Sequence, residues 1–120
     1  MDEKLKIILD NYVRLIIIHG EASNQSRVRK ANRYFKRIYR ALDKLREYGE
    51  EGKEALVSVL SHEDGFVRCY VATHLLNVEP EKAIKTLNKL AKLKNEVGGD
   101  ARMVLQVWED GTLNDPKNYF

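Results

Sequence analysis

Basic side chains dominate one segment of the chain and give it the clearest capacity for recognition chemistry. Seven basic residues and no acidic one lie between Arg27 and Arg40. From Arg29 to Lys44, five cations recur at the spacing that brings side chains to one side of a helix, and they are Arg29, Arg33, Lys36, Arg40 and Lys44. Such a surface suits phosphate groups or an acidic protein, and phosphate binding would weaken strongly with salt. A solvated charged face is the alternative interpretation.

Acidic side chains form a second set directly after the first. Its members, interrupted by Lys53 and followed by Asp64, are Glu47, Glu50, Glu51, Glu54 and Glu63. Clusters of this kind are usually solvated, but they can also steer a basic partner toward a protein. The sequence therefore offers an alternative, acidic partner-binding patch.

No residue pattern typical of catalysis or metal binding is present. The histidines His19, His62 and His74 are too dispersed for a recognised metal motif. Cys69 is the only cysteine, which favours a reducing compartment such as the cytoplasm. Its neighbour Arg68 would lower the thiol pKa at an accessible site, but a buried structural cysteine is the interpretation we prefer. We expect no enzyme activity, no cofactor and no metal.

The length and composition are those of one ordinary globular domain. A chain of 120 residues with 43% hydrophobic and 32% charged residues can bury a substantial core. We predict a single helical domain over residues 1–111 and a C-terminal tail over 112–120, in which Tyr119 and Phe120 are apolar enough to dock. No apolar stretch approaches the length that crosses a bilayer, so no membrane association is expected.

Apolar periodicity predicts six helices that must position these side chains. Residues three and four apart predict helices over about 2–19, 26–48, 52–61 and 66–76, a fifth from Pro80 and a sixth over about 100–111. Capping side chains in 23–26 are expected to start the second helix. Gly20 and Gly49 are expected to end the first two helices, and Gly98 with Gly99 to form a hairpin turn. The apolar side chains of the second helix form one continuous stripe that is expected to be buried, and Phe35 belongs to it.

The apolar positions repeat at an interval of 33 residues. Shifting the chain forward by this interval places Val71 on Val104. It also places Leu75 on Trp108, and the reverse shift places Val71 on Ile38. Helical hairpins that repeat in this way are the sequence signature of an α-solenoid, in which each pair buries one face against the next. The prediction is an all-α fold, a short solenoid of about three helical hairpins.

One charged residue lies inside an apolar face. In the fourth predicted helix, Arg68 falls within the arc that contains Val67. A charge there needs a partner, because removing it from water alone is costly. Asp64, one turn earlier, is the local candidate, although it or Ser61 is also expected to cap this helix, and Asp100 is a longer-range candidate. We therefore predict structural roles for Arg68, Asp64 and Asp100, and a core position for Trp108.

The pattern around this arginine resembles a HEAT repeat. The resemblance is carried by Leu56-x-x-x-Leu60 and then Asp64-x-x-Val67-Arg68-x-x-Val71-Ala72-x-x-Leu75. In HEAT repeats the arginine of the second helix typically pairs with an aspartate in a ladder along the solenoid. The resemblance implies an α-α superhelix with the second helix of each hairpin on the concave side. The five cations would there form a wall facing Tyr70, Thr73 and Asn77.

A longer set of residues is similar to a family of small bacterial HEAT-like proteins and covers nearly the whole chain. The set is Ala31-Asn32-Arg33, Val67-Arg68, Ala72-Thr73-His74-Leu75-Leu76, Glu79-Pro80-Glu81-Lys82-Ala83 and Asp100-Ala101-x-Met103-Val104-Leu105-x-x-Trp108 before Gly111. Members of that family serve as immunity proteins beside polymorphic or contact-dependent growth-inhibition toxins. This sequence departs from it at Val71, where a second alanine is usual, and in its basic second helix.

The resemblance implies a cytoplasmic immunity protein that binds one cognate toxin, expected to be of the nuclease type, without catalysis. Either the basic wall or the acidic patch would make the contact. The alternative is a nucleic-acid-binding HEAT-like protein, with base-repair activity as in some HEAT-like glycosylases. The chain is short for that enzyme class, and the acidic set would repel phosphates. A scaffold subunit of a larger assembly is a third hypothesis.

Overall fold

The computed structural model describes residues 2–24, 28–112 and 119–120, with the side chains of 22–32 outside the description. Every regular element in these residues is an α-helix, which confirms the all-α fold class. The helices are α1 (Glu3–Asn24), α2 (Val28–Arg46), α3 (Glu50–Val59), α4 (Gly65–Leu75), α5 (Pro80–Leu90) and α6 (Glu96–Glu109). The chain divides into two compact units, Met1–Leu56 and Val57–Phe120.

The first unit contains the hairpin of α1 and α2, whose facing sides bury its apolar residues. The buried positions recur three and four apart, and they are Leu5, Leu9, Tyr12, Leu15 and Ile16 on α1 and Ile38, Ala41, Leu42 and Leu45 on α2. Each fully buried large apolar side chain contributes roughly 1.5–3 kcal/mol. This burial stabilises the two helices far more than their intrinsic propensities do, and it fixes which side of α2 faces solvent.

The end of α1 differs from the prediction, whereas the end of α2 agrees with it. Gly20 is buried inside α1, which continues to Asn24. Continuing a helix through a glycine costs about 1 kcal/mol relative to alanine. Ending the helix at a buried position would leave unpaired backbone groups, each of which costs a comparable amount, so the glycine does not force α1 to end. Gly49 follows α2 with a φ of 57°, the left-handed conformation that glycine adopts most easily. Gln25 and Ser26, predicted to cap α2, lie outside the described residues.

The second unit packs α4, α5 and α6 against one another. The apolar arc predicted for α4 is fully buried, and its members are Val67, Val71, Ala72, Leu75 and Leu76. From the other two helices, Ala83, Leu87, Leu90 and Ala101 complete the core of this unit. The amphipathic pattern of each helix therefore accounts for the side that it buries.

The start of α6 lies four residues before the predicted one. The side chain of Asn95 caps this helix, and its Oδ1 accepts a hydrogen bond from the backbone amide of Gly98 at 3.0 Å. Gly98 and Gly99 are therefore in the first turn of α6, and the predicted hairpin turn at these residues is wrong. Gly98 is buried, and a Cβ there would overlap the carbonyl oxygen of Leu93. The missing side chain permits close packing rather than a turn.

The last two residues dock on the second unit. The backbone amide of Phe120 donates to the carbonyl oxygen of His74 at 2.8 Å. The ring of Tyr119 meets that of Trp108 edge to face, with 5.9 Å between ring centres, and Tyr119 is 6% exposed. Trp108 itself is only half-buried. Residues 113–118 of the predicted tail lie outside the described residues.

Candidate partner-binding surface

α2 exposes a row of cations on the side opposite its buried stripe. Ile38, Leu42 and Leu45 are fully buried, so residues half a turn away from them point to solvent. Four of the five predicted cations are exposed and constitute the basic face: Arg33, Lys36, Arg40 and Lys44. Arg29 belongs to the same helix, but its side chain lies outside the described residues.

The basic face is not neutralised by carboxylates of the described residues. None of its four side chains makes a hydrogen bond or an ion pair within that part of the chain. Asp43, which lies in α2, pairs with Arg46 instead, at 2.5 Å. Like charges one turn apart repel by a few tenths of a kcal/mol per pair, roughly. An anionic partner would relieve this repulsion.

Aromatic rings border the basic face on one side. Phe35 was predicted to be buried, but it is 41% exposed, because it lies at the margin of the stripe that α1 covers. Its ring meets Tyr39 edge to face at 4.7 Å and lies 5.9 Å from the ring of His19 on α1. These three residues constitute the aromatic edge. Half-exposed aromatic rings beside arginine are the composition typical of the centres of protein interfaces.

Three residues in or just after α4 were predicted to face the basic wall, and they differ in exposure and in hydrogen bonding. Tyr70 is half-buried between the rings of Phe66 and His74, at 5.3 and 5.6 Å. The hydroxyl of Thr73 donates to the carbonyl oxygen of Cys69, one turn earlier in the helix, at 2.7 Å. Asn77, just after the helix, is exposed. α4 and α2 belong to different units, so the shared groove stays a prediction.

The acidic patch is partly explained by the local structure of α3. Glu50 and Glu51 lie in its first turn, where a negative charge interacts favourably with the positive end of the helix dipole. Glu50 also pairs with Lys53 at 2.9 Å. Glu47 and Glu54 are exposed. The fifth member, Glu63, is exposed and belongs to the second unit.

The predicted partner of Arg68 is wrong. Its Nη1 donates to the backbone carbonyl oxygens of His62 at 2.6 Å and Glu63 at 3.0 Å, and it makes no ion pair with a carboxylate of the described residues. Asp64 caps α4 instead, where its Oδ1 accepts two backbone amides at 2.8 and 3.1 Å. Both residues have structural roles, because their side chains form hydrogen bonds with backbone groups of the turn and not with each other.

Arg102 repeats this arrangement in the next hairpin. Its Nη1 donates to the carbonyl oxygens of Ala91 at 2.7 Å and Leu93 at 3.1 Å, in the segment between α5 and α6. The two arginines lie 34 residues apart, close to the sequence repeat. A cation at the carboxyl end of a helix also interacts favourably with its dipole. Sequence reasoning missed Arg102, although its offset from Arg68 was the available signal.

Cys69 is buried in the second unit, close enough to Asp100 for the two to interact electrostatically. Burial first, and the carboxylate of Asp100 second, raise the pKa of the Cys69 thiol to about 12. Burial and then Glu96 raise the pKa of Asp100. Asp100 makes no ion pair with Arg68 among the described residues, so its predicted pairing with Arg68 is not found. Such a thiol is a poor nucleophile, which agrees with a structural cysteine.

We expect Cys69 to resist thiol reagents in the folded protein. At about pH 8, a pKa of about 12 instead of 9.0 makes the thiolate about a thousandfold scarcer than in the unfolded chain. Ellman's reagent, used with and without urea, measures both labelling rates. Burial raises the pKa of Cys69 in the folded state, so the unfolded chain ionises first. The contribution of the neutral, buried thiol to the free energy of unfolding is therefore complete below pH 9.0 and is lost as the pH rises toward 12. Equal labelling rates in the two states would contradict the burial.

Residues 2–24, 28–112 and 119–120 were compared with the geometry of a metal-binding group and of a membrane-spanning helix. No group of three histidine, cysteine or acidic side chains in these ranges is arranged to hold a metal ion. The Nδ1 atom of His62 accepts the backbone amide of Asp64 at 3.0 Å, and His74 is 1% exposed. In the same ranges, each helix is too short or too polar to cross a bilayer.

The fold and its surfaces define the class of this molecule: an all-α protein, with six helices in the described residues. The model of the DUF2019 family, described as a domain of unknown function, matches residues 8–109, and the chain belongs to this family. The protein RPA1889 from Rhodopseudomonas palustris CGA009 has a similar crystal structure, with a TM-score of 0.80 and 24% identity over 90% of each chain. At this identity the likeness shows the fold alone. A search of curated proteins found no match.

Proposed function

We propose that this protein is a HEAT-like immunity protein that binds a cognate bacterial toxin through the basic face of α2 and the aromatic edge beside it. The observation that carries the proposal is the basic face itself: four exposed cations with no carboxylate partner among the described residues. An acidic surface of the toxin would pair with these cations while Phe35 supplies an apolar contact. Stoichiometric coverage of the toxin's active site or substrate path needs no catalysis.

The HEAT-like superhelix is part of this proposal. The 33-residue repeat of apolar positions supports it. Arg68 and Arg102 also support it, because they lie 34 residues apart and each donates hydrogen bonds to backbone carbonyl oxygens before its own helix. The site of action that we propose is the cytoplasm, where a single cysteine stays reduced.

The toxin's own charge decides which surface makes the contact. A nuclease-type toxin has a basic substrate path, which would suit the acidic patch better than the basic face. Glu50 and Glu51 are already accounted for within α3, so the exposed pair Glu47 and Glu54 is the acidic surface that remains in the first unit, and Glu63 is the exposed member in the second unit. We favour the basic face because none of its members has a local role.

The test is co-expression with the toxin encoded beside this gene, with growth and complex formation as readouts. We expect growth to be restored and an equimolar complex to form. The double variant Lys36→Glu/Arg40→Glu should weaken binding about a hundredfold or more, because close interfacial charge pairs contribute several kcal/mol. The control Lys4→Glu/Lys6→Glu changes the net charge equally at exposed positions of α1 and should bind within about threefold of the wild type.

Two results would redirect the proposal. If Glu47→Lys/Glu54→Lys alone abolishes binding, the acidic patch is the contact surface. If no neighbouring toxin forms a complex and growth is not protected, the protein is not an immunity protein.

Nucleic-acid binding is the second candidate, favoured by the aromatic edge beside the basic face. Stacking on aromatic rings and salt-dependent contacts to phosphates are the two features that single strands use. Fluorescence anisotropy with single-stranded DNA and RNA, at low and at moderate salt, tests it. Binding that falls with salt and disappears in Lys36→Glu/Arg40→Glu would support this function, and no binding at low salt would exclude it.

A further inference from the structure

A second charged surface lies on α5, in the unit that does not contain α2. The exposed side of this helix carries a shallow, open groove of ≈ 520 Å³, whose described lining belongs to α5 and to Lys92 just after it. Pro80, Ile84 and Asn88 line it at intervals of four residues, and therefore follow one ridge of the helix. The opposite side of α5 is buried through Ala83 and Leu87, so the groove is a solvent-facing feature of a firmly packed helix.

Lysines make this groove strongly positive. Five lysines and no acidic residue lie between positions 82 and 94. Three of them, Lys85, Lys89 and Lys92, line the groove, and all three are exposed. Their ammonium groups make no hydrogen bond or ion pair within the described part of the chain. Glu81 brings one carboxylate to the amino-terminal end of the groove, so the positive potential grows toward the carboxyl end of α5.

We propose that this groove binds an acidic, amphipathic helix of a partner protein. The row of Pro80, Ile84 and Asn88 is apolar at its first two positions, and the furrow beside such a four-residue row can receive a ridge of another helix. From Pro80 to Lys92 the groove extends for about 18 Å, or roughly three helical turns. Apolar side chains of the partner would lie on Pro80 and Ile84, and its carboxylates would meet Lys85, Lys89 and Lys92. Because of Glu81, the partner's acidic residues belong at the carboxyl end of α5.

The chemistry of the groove favours an acidic helix over a nucleic acid. Its described lining contains no aromatic ring on which a base could stack and no arginine to bind a phosphate in bidentate fashion. It contains lysines with long apolar stems, which cover apolar surface and keep their charges in water. This site is distinct from the basic face of α2 and does not depend on the proposed function.

Fluorescence anisotropy with a labelled helical peptide tests the proposal on the full chain. The probe has about fifteen residues, with leucines four residues apart and glutamates beside them. We expect binding at low salt that weakens as salt rises. A peptide with glutamine in place of glutamate, and one with alanine in place of leucine, should each bind at least about tenfold more weakly.

Matched variants locate the site. Lys85→Glu/Lys89→Glu should weaken binding at least about tenfold, whereas Lys82→Glu/Lys94→Glu, with the same charge change at exposed lysines outside the groove, should stay within about threefold. Ile84→Ser should weaken binding without a charge change, and thermal unfolding checks that each variant is folded. The α2 variant Lys36→Glu/Arg40→Glu should bind the peptide normally.

Four outcomes would overturn the proposal. They are no peptide binding at low salt, equal weakening by both lysine pairs, tighter binding of single-stranded DNA through Lys85 and Lys89, and self-association of the chain that Lys85→Glu/Lys89→Glu abolishes. None of them bears on the toxin experiment, which uses α2 variants and a different partner.

Discussion

Replacing Gly98 with alanine is expected to destabilise the second unit by roughly 2–4 kcal/mol. The added Cβ would overlap the carbonyl oxygen of Leu93. That oxygen accepts a hydrogen bond from Arg102 at 3.1 Å, and the amide of Gly98 is bound to the Asn95 cap at 3.0 Å. The backbone on both sides is therefore held in place, and relief of the overlap requires breaking one of these bonds. Urea unfolding followed by circular dichroism measures the loss.

Substitution of the neighbouring Gly99 by alanine provides the control, because its expected effect on stability is neutral or opposite in sign. A Cβ on Gly99 would have Arg102 Nη2 as its nearest neighbour, at the ordinary contact distance of 3.8 Å. Both glycines lie in the first turn of α6, where alanine is favoured over glycine by roughly 0.5–1 kcal/mol. Gly99→Ala should therefore be neutral or stabilising. If both substitutions were harmless, the predicted hairpin turn would describe these residues better than the helix does.

The same pair of glycines shows where local sequence patterns stop being informative. A Gly-Gly pair is a strong turn signal, and the cap at Asn95, three residues before Gly98, was the competing signal. What decides between them is the close approach of the Leu93 carbonyl, five residues earlier in the turn before α6, to Gly98, which the residue types alone do not reveal. The start of α5 at Pro80 and the buried arc of α4 were predicted correctly, because their signals are local and periodic.

The charged residues of the basic face could be predicted from the sequence, but the exposed aromatic residue beside them could not. The exposure of Arg33, Lys36 and Arg40 follows from the helical wheel alone. The wheel does not say how wide a strip α1 covers, so Phe35 was assigned to the core although it is 41% exposed. For Arg68, the need for a partner was predicted correctly and the partner was not. The capping of α4 by Asp64 directs its carboxylate to amides, and the turn supplies carbonyl oxygens instead.

Truncation of Tyr119 should cause the second large loss of stability. Removal of its hydroxyl alone should cause a smaller gain of stability. Tyr119→Ala is expected to cost roughly 2–4 kcal/mol, because the ring is 6% exposed and packs on Trp108. The buried hydroxyl has no hydrogen-bond partner among the described residues. An unsatisfied buried polar group costs about 1–3 kcal/mol. Tyr119→Phe keeps the ring contact and should stabilise the protein by about 1 kcal/mol.

The pH dependence of stability provides an independent check on this hydroxyl. Burial raises the pKa of Tyr119 above its ordinary value of 10.0. The unfolded chain therefore ionises first, and the contribution of the neutral buried ring is complete below pH 10.0 and lost as the pH rises through the folded-state value. In Tyr119→Phe this part of the alkaline loss should disappear. A destabilising Tyr119→Phe would contradict the view that the Tyr119 hydroxyl is an unsatisfied buried group.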